Sequence, residues 1–185
     1  MRATVVGLDP GFRNCGFAQI KLGSEEGIDK IELVQLGVIT TQASDKKLNV
    51  MQCSDNVRCT RELYGELKEV LKDAHIVCAE SMSFPRNSSS AAKVAMCWGV
   101  IIALAERYGA VMLQRSPQEV KCAIVGRKSA GKEQVQEVLD RHFRKAQALL
   151  KLVPAGRQEH AYDALAAAVS CLRSDEVRLL TSRLE

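Results

Sequence analysis

Three short stretches place carboxylates where an isolated charge is hard to explain. Val5-Val6-Gly7-Leu8 is an apolar, strand-like run that stops on Asp9, just ahead of Pro10-Gly11. His75-Ile76-Val77-Cys78-Ala79 is another, and it stops on Glu80. Near the C-terminus, Glu159-His160-Ala161-Tyr162-Asp163 sets His160 three residues and Glu159 four residues before Asp163, so on a helix each pair shares a face. A carboxylate closing a buried strand is costly to desolvate unless positive charge meets it, and a divalent cation is the usual solution. Each stretch also has a plainer explanation. Asp-Pro-Gly suits a tight turn, a strand-end glutamate can be solvated, and a His beside a Glu is an ordinary surface pair. Taken together they favour a metal-binding group: acids that end neighbouring strands lie side by side, and a helix could bring His160 and Asp163 to them.

The elements between these stretches must do the positioning. Residues 3–9, 15–22 and 31–40 read as strands, joined by the Pro-Gly turn and the polar loop Gly23 to Lys30, and predict an antiparallel meander. From about Leu48 to Lys72 the pattern turns helical, with Leu63, Leu67, Val70 and Leu71 at spacings of three and four and Gly65 inside the run. The strand ending on Glu80 follows, then a polar loop, Ser81 to Ser90, that holds Phe84, Pro85, Arg86 and Asn87. Residues 89–108 predict a helix apolar on most of its surface, which needs burial on more than one side: the sheet on one face, a second copy of the chain on the other. Ala110 to Leu113 is a fifth strand, and Ser116-Pro117-Gln118-Glu119 has the form of a helix-starting capping box. Helices are expected at 132–144 and 158–172, the last kept slim by Ala164, Ala166, Ala167 and Ala168 so that it can lie close on a sheet. The order is that of an α/β protein in a single domain, residues 1–173, with residues 174–185 as a C-terminal tail.

Charge adds a partner. The net charge is +4, which matters only where it is clustered. Basic residues thicken between Arg115 and Arg157, with Lys121, Arg127, Lys128, Lys132, Arg141, Arg144, Lys145 and Lys151 outnumbering Glu119, Glu133, Glu137 and Asp140. A solvated helix face explains much of this. Gly126 and Gly131, however, frame Arg127-Lys128 as a loop suited to contacting phosphates, which gives affinity without base reading. Phe84, Arg86 and Asn87 are placed to meet an unstacked base, Phe84 having core filling as its alternative. The seven cysteines are scattered and show no two-residue spacing, which points to a reducing compartment. The chain opens directly into a strand with no targeting segment, and its longest uncharged run, Val94 to Ala105, falls short of the roughly 20 residues of a membrane span. A soluble cytoplasmic protein is expected, with no membrane partner.

In this light the chain resembles the RuvC family of Holliday junction resolvases, within the ribonuclease H-like superfamily. The likeness lies in Gly7-Leu8-Asp9-Pro10-Gly11 with Gly16, and in Ala79-Glu80-Ser81 followed by Asn87, Ser90 and Lys93. It continues through Val120-Lys121, Val125-Gly126, Lys132 to Gln136 and His160 to Ala166, spread over residues 4–170 in the family's order. The resemblance implies a ribonuclease H-like fold with a five-stranded mixed sheet, three antiparallel strands first and then two parallel, flanked by helices. It implies a metal site of Asp9, Glu80, His160 and Asp163 with two Mg2+ ions, Mn2+ serving as a substitute. Many members have aspartate where this chain has His160, and Glu159 is an alternative oxygen donor. Lys121 and Lys132 correspond to the family's DNA-facing lysines. The base-wedging phenylalanine of some members aligns with Ser83, one residue before Phe84. The implied activity is paired hydrolysis of four-way junctions by a homodimer, leaving 5′-phosphate and 3′-hydroxyl ends, in a bacterial or phage-infected cell. Flaps, forks or other branched DNA as substrate, or a catalytically idle junction-binding protein, are the competing expectations. An actin-like ATPase is disfavoured because such folds need two lobes.

Overall fold

The computed structural model describes residues 3–23, 31–45, 47, 49–81 and 85–184. Strand β1 (Ala3–Asp9) is buried along its whole length except at Asp9, so it belongs at the centre of a sheet. β2 (Asn14–Leu22) pairs antiparallel with β1, and β3 (Ile31–Thr40) antiparallel with β2. On the other side β4 (Ile76–Glu80) runs parallel to β1, and β5 (Val111–Arg115) parallel to β4. The order is therefore β3-β2-β1-β4-β5, the five-stranded mixed sheet expected from the resemblance.

Each face of the sheet has its own core. Helices α1 (Gln52–Leu71) and α2 (Ser88–Tyr108) cover one face, where Leu63, Leu67, Trp98, Ile101 and Leu104 pack on Val6, Leu8, Val77 and Ala79. The other carries α3 (Pro117–Val125), α4 (Lys132–His142), α5 (Ala146–Leu150), α6 (Gln158–Ser170) and α7 (Asp175–Leu184). There Leu139, Leu150, Leu165 and Val177 join Val5, Ile20, Ile76 and Cys78.

Local chemistry explains where most elements start and stop. Ser116 caps α3 in the expected reciprocal box with Glu119. Asn87 caps α2, its side-chain oxygen accepting from the Ser90 amide, and Gly109 closes the helix in the left-handed conformation at φ 66°. α1 begins at Gln52, later than the periodicity indicated, because Asn49 adopts a positive φ of 47° and Met51 is still extended. β5 runs on to Arg115, since Glu80 pairs with Arg115 and carries the ladder past Leu113.

The expectation that α2 is buried on more than one side is not met within one chain. Cys97, Trp98, Ile101, Leu104 and Ala105 are buried, whereas Ala92, Ala95, Met96, Gly99, Ile102 and Ala103 face solvent. Over its 21 residues α2 is long and apolar enough to cross a bilayer, more than its uncharged run alone indicated. Its buried face is instead part of the core over β1 and β4.

Candidate active site

The sheet register brings the two strand-end acids together. Leu8 pairs with Ala79, so the next residues, Asp9 and Glu80, end adjacent parallel strands at one level. Side chains alternate along a strand, so Asp9 projects to the same face as Val5 and Glu80 to the same face as Ile76 and Cys78. That is the face on which α6 lies.

Helix α6 sits unusually low there, and glycines permit it. A Cβ on Gly7 would stand 2.0 Å from the Ala164 carbonyl oxygen, and one on Gly16 would stand 1.9 Å from that of His160. Gly16 is the β2 partner of Asp9. The helix answers with buried Ala161, Ala164, Ala166, Ala167 and Ala168. Backbone meets backbone, and His160 and Asp163 arrive at the level of the strand ends.

His160 Nδ1 lies 2.7 Å from Asp9 Oδ2. An ionised carboxylate only accepts, so Nδ1–H donates to Asp9. Lys132, first residue of α4, donates from Nζ to Asp163 Oδ2 at 3.1 Å and lies 3.5 Å from Glu159 Oε2. Burial pushes the Asp9 carboxyl up from its ordinary range; the His160 hydrogen bond opposes this and the Asp163 charge adds to it. Burial likewise raises Glu80, and the charges of Asp9 and Asp163 raise it further, while Lys132 and Lys121 pull it down. The hydrogen bond to Asp163 raises Lys132. The like charges of these acids thus oppose one another at the strand ends.

A sequence profile described as crossover junction endodeoxyribonuclease RuvC matches residues 5–171. The chain belongs to the RuvC family. The RuvC of Syntrophomonas wolfei is 34% identical over 171 residues, covering 92% of this chain and 88% of that protein. The Treponema denticola RuvC is 29% identical over 181 residues, covering 96% and 89%. Among solved structures, Thermus thermophilus RuvC superposes with a TM-score of 0.70 at 25% identity, covering 96% of this chain and 97% of that one. Yeast mitochondrial Ydc2, a Holliday junction resolvase, shares the fold at a TM-score of 0.66 and 18% identity, covering 99% and 85%.

RuvC proteins are metal-dependent nucleases. Among the described residues no three His, Cys, Asp or Glu side chains form a ready-made metal cage. The donor set nevertheless fits a hard divalent cation. Asp9, Glu80 and Asp163 offer carboxylate oxygens; burial raises the first two, the charge of Asp163 adds to both and that of Asp9 to Glu80, a repulsion that a bound cation relieves. Asp9 and Asp163 are each held at present by a group of this chain, His160 and Lys132.

The basic residues named from the sequence divide into two groups. Lys121 and Lys132 stand close enough to lower Glu80, whereas Arg127 and Lys128 are exposed on the loop between α3 and α4. Arg86 is exposed just before α2, and the Asn87 oxygen is committed to its helix cap. Phe84 lies outside the described residues.

One feature near the site left no trace in the sequence. Asp55, in the first turn of α1, accepts from the Ser44 amide at 3.0 Å and hydroxyl at 2.7 Å, from Arg58 at 2.7 Å and from Arg13 at 3.3 Å. Arg13 belongs to the turn after Asp9. Thr41 braces the same turn, its amide donating to the Arg13 carbonyl at 3.1 Å and its hydroxyl to the Phe12 carbonyl at 2.8 Å. Arg58 is three residues on in the same helix, but no spacing rule links Asp55 to Ser44 or Arg13.

These donors hold Asp55 far below the ordinary carboxylate range, the Ser44 hydroxyl contributing most, then Arg58. With the folded pKa depressed, the unfolded chain takes up the proton first. The contribution is therefore complete above the unfolded value of about 4 and is lost as pH falls below it. Urea midpoints measured between about pH 6 and pH 3 should fall more steeply for the wild type than for Asp55→Asn. Parallel curves would show that the cluster does not stabilise the fold.

Proposed function

We propose that this chain is a metal-dependent, structure-selective endonuclease that resolves four-way DNA junctions by hydrolysing a phosphodiester in each of two strands. The observation that carries this reading is the convergence of Asp9, Glu80, His160 and Asp163 at one end of the sheet, with Lys121 and Lys132 beside them. The family named above supports it. So does the solved complex of T. thermophilus RuvC with Holliday junction substrate, which shares this fold at a TM-score of 0.72 and 24% identity. Residues 1–173 form the nuclease domain in this reading, with α7 packed on it through Val177, and a bacterial or phage-infected cytoplasm is its setting.

Asp9, Glu80 and Asp163, with His160, would hold two Mg2+ ions, or Mn2+, which supply charge neutralisation and an activated water when bound. The chain's own groups do the rest. Asp9 orients the His160 ring through Nδ1, which leaves Nε2 as the nitrogen for ligation or proton acceptance. Lys132 and Lys121 set positive charge against the incoming phosphate and partly offset the repulsion between it and the acids. Arg127, Lys128 and Arg86 hold the backbone farther out and make binding salt-dependent. Phe84, and Asn87 through the amide nitrogen that its helix cap leaves over, are assigned to the unstacked bases at the branch point.

The exposed apolar stripe of α2 supports a two-fold dimer, which would present two sites to a two-fold substrate. Ile102→Glu should convert the protein to a monomer by light scattering and replace paired nicks with single ones. A monomeric wild type would reject this interface.

Metal binding has a readout of its own. Glu80 is raised in the fold, so at neutral pH its charge destabilises the metal-free protein. Glu80→Gln should melt higher than wild type in chelator, and added Mg2+ should raise the wild type by more than the variant. Wild-type melting that ignores Mg2+ would count against the site. The activity is tested by comparing four-way, three-way, flap and linear duplex DNA. Preferential paired cutting of the four-way junction is expected, and equal nicking of linear duplex would reject the assignment.

A further inference from the structure

We propose that the Tyr162–Asp140 hydrogen bond is a positioning contact that sets where Lys132 falls over the active site, acting through the axis of α4. The proposal rests on the nuclease reading above. Lys132 begins α4 and Asp140 lies near its other end, about 12 Å away at 1.5 Å per residue. Between them α4 buries Val135 and Leu139 against the core. An apolar stripe fixes how far apart two helices sit, but contact of this kind is non-directional and resists sliding along the axis only weakly. Hydrogen bonds are directional and resist it.

Polar contacts to α6 stand at the two ends of the stripe, and the side chain of Gln136, between them on α4, also bonds the Tyr162 hydroxyl. At one end Lys132 meets Asp163 at 3.1 Å. At the other the Tyr162 hydroxyl donates to Asp140 Oδ1 at 2.6 Å, while Gln147 of α5 donates to Asp140 Oδ2 at 3.2 Å, so the carboxylate is fixed from two sides. Tyr162 is only 7% exposed and lies between His160 and Asp163 in the sequence of α6. The residue that carries His160 and Asp163 on either side thus also holds the helix that delivers Lys132.

Tyr162→Phe removes the hydroxyl and keeps the ring. Single-turnover junction cleavage should slow about tenfold while junction affinity stays within about twofold, because a small misplacement of a charged group costs rate more than binding. In a Lys132→Met background the same substitution should change the rate by less than about twofold, since a contact acting through Lys132 has nothing left to position. Asp140→Asn keeps an oxygen for Tyr162 to donate to and should cut within about twofold of wild type. Amide hydrogen exchange gives a readout free of metal and DNA: Tyr162→Phe should accelerate exchange at residues 135–137, the first amides of α4 with an acceptor inside the helix. Equal rate loss in both backgrounds, faster exchange at residues 139–142 alone, or faster exchange throughout β1 and α6 would each overturn the proposal in favour of a purely structural bond. A wild type that does not cut junctions would instead sink the nuclease reading, and the exchange comparison would still decide the positioning role.

Discussion

Asp9→Asn is expected to bind a four-way junction as tightly as wild type and to cut it on the order of a thousandfold more slowly. The amide has nearly the shape of the carboxylate, so its oxygen can still accept from His160 Nδ1, and the packing of α6 on β1 is undisturbed. What disappears is the negative charge at the one acid that touches His160 and feels Asp163. A thousandfold corresponds to about 4 kcal/mol of transition-state stabilisation, the scale expected when a charge assembled for the transition state is removed. Binding is governed by the basic residues around the cleft, and removing an acid from it slightly favours an incoming phosphate. Single-turnover cleavage of a labelled junction in Mg2+, with affinity measured by fluorescence anisotropy in chelator, separates the two quantities. Cutting within about tenfold of wild type would remove Asp9 from the centre of the mechanism.

Gly16→Ala should be the most damaging substitution that touches no catalytic side chain. The new methyl would stand 1.9 Å from the His160 carbonyl oxygen and 2.5 Å from its carbonyl carbon. Those are backbone atoms of a packed helix and cannot rotate away. Either α6 lifts from the sheet or β2 bends, and in each case His160 leaves Asp9. Overpacking of this kind costs about 3 kcal/mol, and the displaced histidine should take most of the activity with it. Gly7→Ala meets the Ala164 carbonyl oxygen at 2.0 Å and the Ala168 amide at 2.6 Å and should behave alike. Gly65 is the internal control. It lies inside α1, and a Cβ added there would meet nothing within 4 Å, so Gly65→Ala should stabilise by about 0.5–1 kcal/mol through helix propensity. Urea denaturation of the three variants tests opposite signs for one chemical change. A Gly16→Ala protein as stable as wild type would mean that α6 does not rest on the sheet as described.

Much of this protein follows from local patterns. The all-apolar run Val5 to Leu8 called for a central strand, since a strand buried on both faces cannot alternate with polar residues. Asp9 and Glu80 were conspicuous because each closes such a run. Helical spacing put His160 and Asp163 on one face, the four alanines indicated a close approach to the sheet, and Ser116 with Glu119 announced the start of α3. These features are legible because periodicity and capping depend on neighbours a few residues away.

The pairings were decided only by tertiary structure. His160 meets Asp9 across 151 residues of sequence, Lys132 meets Asp163 across 31, and Asp55 gathers Ser44 and Arg13 from outside its own helix. Gly16, from sequence a match in a motif, proved to be the spot where helix and strand backbones touch. Helix α2, apolar enough in sequence to need two buried faces, buries one and exposes the other. Local periodicity says which side of an element turns inward, but not which group it meets there. That depends on strand register and on how near a helix can lie to a sheet, and here the absence of two side chains, at Gly7 and Gly16, sets that distance.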